Sequence, residues 1–194
     1  MINTSKTEIM HISRAWLAIS LAFAILMTGG LSLDLPFLTN FLIAGFTVGL
    51  GFLLHEMAHK VVAQKYGCFA EFRAFDQMLM LAVLMSFFGF ILAAPGAVFI
   101  RGRISKDANG RVSVAGILVN IALAAAFIMI SAVLGPNMVS YFGAYINSLL
   151  AVFNLLPFGN FDGVKVLAWN KLVYMLTGAA ALAVFIASQR ITWA

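Results

Sequence analysis

Apolar residues in this chain come in long blocks, without the periodic polar stripe of a soluble amphipathic helix. Five blocks, at residues 15–33, 37–63, 112–134, 138–156 and 172–188, are each 17 residues or longer and mostly uncharged. A helix of that length crosses roughly 30 Å of hydrocarbon, so each is predicted to be a transmembrane span. Asp34-Leu35-Pro36 and Gly135-Pro136-Asn137 separate neighbouring blocks and read as tight turns. One more apolar stretch, 78–100, is divided by Pro95-Gly96. Before the break LMLAVLMSFFGFILAA reads as helix; after it AVFI has strand character.

Composition agrees with the blocks. The chain is 63% hydrophobic and 10% charged, with a mean hydropathy of +1.02. A soluble domain is nearer half apolar and a quarter charged. The expected fold is an all-α polytopic membrane protein, a single catalytic domain over 1–194. It has five to six transmembrane helices and a re-entrant, strand-containing membrane loop. The single Cys68 excludes an internal disulfide and a CxxC zinc site. No small-residue cleavage site follows the first apolar block, which therefore reads as a retained span.

The net charge of +5 reports orientation here rather than affinity for nucleic acid. Lys6 and Arg14 precede the first span, and Lys60, Lys65 and Arg73 follow the second. Arg101, Arg103, Lys106 and Arg111 precede the third, and Lys165 and Lys171 the last. The positive-inside rule places all four groups, and with them the N-terminus, in the cytoplasm. Residues 78–100 then enter and leave on one side, as a re-entrant hairpin. The alternative is an ordinary sixth span with one basic loop on the wrong side.

Within the second block stands His55-Glu56-Met57-Ala58-His59. Histidines four apart share one helix face, and two imidazoles from adjacent turns can hold one divalent ion. Glu56 can reach a water on that ion without being a ligand: this is the HExxH arrangement. Interhelical hydrogen bonding or a proton relay is the plainer reading, but ionisable groups inside a span are costly and usually functional. Catalytic zinc takes three protein ligands, so a third is expected elsewhere. His11 and Glu8 lie in the N-terminal tail and read as incidental. Asp34 is in the outer turn, Asp107 in a basic loop, and nothing around Glu71 or Asp76 marks a ligand. Asp162 follows a helix-breaking Pro157 at the cytoplasmic end of the fourth span, at the depth of the two histidines.

HExxH at His55, Glu56 and His59, followed by Asn154, Pro157, Asp162 and Gly163 in an NxxPxxxxDG pattern, resembles the site-2 protease family of intramembrane zinc metalloproteases. The likeness spans about 37–163. It implies one zinc ion per chain on His55, His59 and Asp162, Glu56 as general base, and Asn154 holding the substrate carbonyl or oxyanion. It also implies a transmembrane helix of another membrane protein as substrate, with the 78–100 loop receiving it; the strand-like residues 97–100 are suited to pair edge to edge with its unwound segment. One departure is Ile117, after Gly116, where members often carry proline; Asn120 follows as an intramembrane polar group. The chain has no room for the PDZ or nucleotide-sensing domain of many members. The competing class is a metal or proton transporter using the same His/Glu/Asp set.

Overall fold

The computed structural model describes residues 3–91 and 95–192. Its helices are α1 (Lys6–Thr28), α2 (Leu35–Ala44), α3 (Leu50–Lys65), α4 (Asp76–Ser86), α5 (Lys106–Leu134), α6 (Met138–Asn154), α7 (Asp162–Trp169) and α8 (Lys171–Ser188). A π turn, Gly45–Gly49, joins α2 to α3 in one 31-residue rod. Two strands, β1 (Phe69–Ala74) and β2 (Gly96–Arg101), complete the fold.

Among the described residues, four helices are long and apolar enough to cross a membrane: Lys6–Thr28, Leu35–Lys65, Lys106–Leu134 and Lys171–Ser188. They turn apolar side chains such as Leu118, Met129, Val133 and Leu176 outward and bury Ser20, Thr47, Asn120 and Ser188. Polar groups inside and apolar groups outside is the pattern expected of helices packed in lipid. The block expected at 138–156 is α6, whose 17 residues give about 25 Å of helix. That is less than a full hydrocarbon thickness, and Ser140, Asn147 and Ser148 are buried along it.

The stretch 78–100 divides into helix and strand, but helix α4 ends at Ser86, short of the 79–94 expected, with turns over 87–89, and strand β2 begins at Gly96; residues 92–94 lie outside the described residues. The strand's partner is β1. The two run antiparallel, from Phe69 opposite Arg101 to Ala74 opposite Gly96. Phe75 N–H donates to Pro95 O at 3.1 Å. The chain therefore leaves and returns at adjacent points, with α4 as the excursion between them.

Helix α1 begins nine residues before the expected block, because its polar first turns have work against the sheet. Ser5 caps it by accepting from Glu8 N–H, and the Ser5 hydroxyl also donates to Glu71. That bond, with Arg73 beside it, holds the Glu71 carboxyl below the ordinary glutamate range. Glu8 and His11, read from the sequence as incidental, are structural. Glu8 is fully buried; one oxygen accepts from Lys60 Nζ at 2.5 Å and the other from Phe72 N–H at 2.9 Å. His11 Nδ1 accepts from Ala74 N–H at 3.1 Å. These side chains satisfy the outer edge of β1, which unpaired would be a row of orphan donors.

Lys60 is equally buried and also donates to Thr4 Oγ1 at 2.9 Å. Removing one partner of such a pair strands the other charge, at a cost of about 3–5 kcal/mol. Lys60→Met is thus expected to destabilise the detergent-solubilised protein by about that much in equilibrium unfolding. Adding Glu8→Gln, which removes the stranded charge but keeps an acceptor for Phe72 N–H, should recover most of the loss; a single variant as stable as the parent would contradict the pairing.

Candidate metal centre

His55 and His59 lie one turn apart on α3, with ring centroids 4.5 Å apart and Nε2 atoms 2.9 Å apart. The chain after α6 passes through Pro157 and starts α7 at Asp162, which places that carboxylate at a helix N-terminus, where negative charge is favoured. Asp162 Oδ2 sits 3.3 Å from His55 Nε2 and 2.9 Å from His59 Nε2. Lys165 Nζ, one turn along α7, donates to the other oxygen at 3.2 Å. All three residues are buried, and among the described residues theirs is the group of His, Cys, Asp and Glu able to hold a metal ion.

The outer nitrogens show how the donors fit a cation. His59 Nδ1 is 2.8 Å from Val112 O, and a carbonyl only accepts, so Nδ1 carries the hydrogen. In the neutral ring the lone pair is then on Nε2 and points at Asp162. His55 Nδ1 is 2.6 Å from Asn120 Oδ1, which leaves its Nε2 in the same role. Two imidazole lone pairs and a carboxylate oxygen converge, a donor set well suited to zinc.

Gly116 on α5 makes room for them. A Cβ there would stand 2.5 Å from His59 Cε1 and 2.8 Å from His55 Cε1. Gly163, beside Asp162, likewise lets α7 start against the backbone of Leu155. Ile117, next to Gly116, is fully buried in the cluster of Val114, Ala151, Leu155, Val166 and Ala181.

Glu56 is buried without joining the three ligands, and its Oε2 accepts from Val98 N–H at 2.9 Å. The base candidate is therefore fixed by the backbone of β2. Asn154 stays within its own helix, donating from Nδ2 to Leu150 O at 3.0 Å. The other acidic groups have partners elsewhere. Asp34 caps α2 by accepting from Phe37 N–H, Asp76 pairs with Arg14 at 3.5 Å, and Asp107 with Arg111 at 2.9 Å and Trp169 Nε1 at 2.6 Å.

Sequence reasoning missed Asn147, Lys165 and the Val98 amide. Asn147 carried a signal, being an amide in the middle of an apolar block. A backbone donor such as that of Val98 has no sequence signal.

No family model matches the chain, and no solved structure does. A Methanocaldococcus jannaschii protein named "Putative zinc metalloprotease" is 41% identical over 144 residues, which cover 71% of this chain and 75% of the relative. With the buried His55–His59–Asp162 group, that likeness identifies a metalloprotease and implies zinc as its metal. The chain belongs to the zinc metalloprotease family represented by that archaeal protein.

Proposed function

We propose that this metalloprotease is an intramembrane endopeptidase of the site-2 protease kind, hydrolysing peptide bonds within or near transmembrane segments of other membrane proteins. Such cleavage would serve regulated intramembrane proteolysis, with the centre opening toward the cytoplasm. The observation that carries the reading is Glu56, buried beside the histidine pair and tied to the edge of β2.

His55, His59 and Asp162 would hold one zinc ion. Zinc, when bound, supplies Lewis acidity at the scissile carbonyl and acidifies the attacking water. Glu56 takes the proton from that water as its oxygen bonds to the carbonyl carbon, then delivers it to the amine as the C–N bond breaks. Asn154, one loop before Asp162, is assigned to the carbonyl oxygen. Its Nδ2 keeps a second hydrogen after bonding Leu150 O, and loss of such a donor costs about 100- to 1000-fold in rate.

A helical substrate must unwind before it can be cut, and the free edge of β2 is suited to holding the unwound segment by strand addition. Phe72 N–H and Val98 N–H both point away from the β1–β2 ladder, to Glu8 and Glu56. Ile100, two residues on, shares the outward edge of Val98. The Val98 N–H is already taken by Glu56, and proline there would disturb the base, so Ile100 is the cleaner probe.

Ile100→Pro is expected to slow cleavage of a transmembrane helix in vesicles severalfold more than cleavage of an unstructured soluble peptide. Equal slowing of both would contradict strand addition. Cleavage confined to soluble peptides, even by the parent enzyme, would contradict the intramembrane reading.

A further inference from the structure

A chain of side-chain amides runs from α6 through α5 to His55. Asn147 Nδ2 donates to Gly143 O at 2.9 Å and to Thr47 O, in the π turn, at 3.3 Å. Both partners are carbonyls, so the orientation of this amide is fixed and its Oδ1 must accept. It accepts from Asn120 Nδ2 at 3.0 Å, whose other bond goes to Gly51 O at 3.2 Å. Both hydrogens of Asn120 are thereby used, and its Oδ1 is left 2.6 Å from His55 Nδ1. That oxygen only accepts, so His55 carries its hydrogen on Nδ1 and its lone pair on Nε2.

Asn120 and Asn147 are both fully buried, so their amides are satisfied by protein partners alone. Gly51 is part of the arrangement, since a Cβ there would lie 2.9 Å from Asn147 Cγ.

We propose that Asn147 and Asn120 are positioning residues for the metal centre: together they fix the ring orientation and tautomer of His55 so that Nε2 faces Asp162 and His59. His59 obtains the same service from a main-chain carbonyl, Val112 O. His55 has only this relay, built from three separate helices. The inference rests on the metal-centre reading. Partners of this kind typically change metal affinity by about 10- to 100-fold when lost.

The test is zinc affinity of the full chain by chelator competition for the parent, Asn120→Leu, Asn147→Leu and the double variant. It is joined by ¹⁵N spectra of the histidine side chains in the zinc-loaded parent; the chain has only three histidines. Asn120→Leu is expected to weaken zinc about 10- to 100-fold, and Asn147→Leu by a smaller factor. The double variant should match Asn120→Leu alone, because Asn147 acts through Asn120.

The parent should show His55 protonated at Nδ1 and metal-bound through Nε2. Multiplying effects, an unchanged Asn147→Leu, or His55 binding through Nδ1 would each overturn the relay. The spectra need no variant, so a misfolded substitution leaves the test intact. A parent that binds no zinc would instead sink the metal-centre reading itself.

Discussion

Glu56→Gln is expected to cut peptide hydrolysis by about 100- to 10,000-fold, the usual worth of a general base, while zinc affinity stays close to that of the parent. Glutamine keeps an oxygen able to accept the Val98 N–H that Glu56 now holds at 2.9 Å. The strand contact and local packing should therefore survive. What glutamine lacks is the lone pair basic enough to take a proton from water. Loss of zinc in this variant would make Glu56 a ligand, and retained hydrolysis would remove it from the chemistry. Chelator competition and a peptide-cleavage assay on the same preparation separate the two.

Gly116→Ala is expected to damage the other half of the site. The added methyl would stand 2.5 Å from His59 Cε1 and 2.7 Å from its Nε2, with His55 Cε1 at 2.8 Å. Neither ring can retreat along its own axis, because Asn120 and Val112 hold the far nitrogens. Overpacking of this kind costs about 1–3 kcal/mol. Expressed at the site, that is roughly 5- to 150-fold in zinc affinity, with activity falling in parallel. Glu56→Gln and Gly116→Ala thus give opposite signatures: chemistry lost with metal kept, and metal weakened first. An alanine variant with parental zinc affinity would mean that α5 does not bound the centre.

The residues of the candidate metal centre could be picked out in the sequence because their signals are local. His55 and His59 are four apart in an apolar block, and Asp162 follows a helix-breaking proline at matching depth. The strand after Pro95-Gly96 was local in the same sense. Its partner was not: FAEFRA carries Glu71 and Arg73 and reads as a loop until β2 comes back to pair with it. The burial of Glu8 depends on Lys60, 52 positions away, and no periodicity announces such a pair. Asn120 stood out as an amide in an apolar run and Asn147, in a like position, was missed; their meeting, and its aim at His55, comes from the packing of α3, α5 and α6. Hydropathy likewise located α6 without revealing how many of its side chains are polar and turned inward.

Whether His55, His59 and Asp162 form the zinc centre of a protease is decided by measuring zinc content and cleavage of a model transmembrane substrate for the purified parent beside Asp162→Ala. The parent should carry one zinc per chain and cleave, and the variant should do neither. Full zinc in Asp162→Ala would remove Asp162 from the ligand set. A parent that holds zinc yet cuts nothing would contradict the protease reading and point to metal transport.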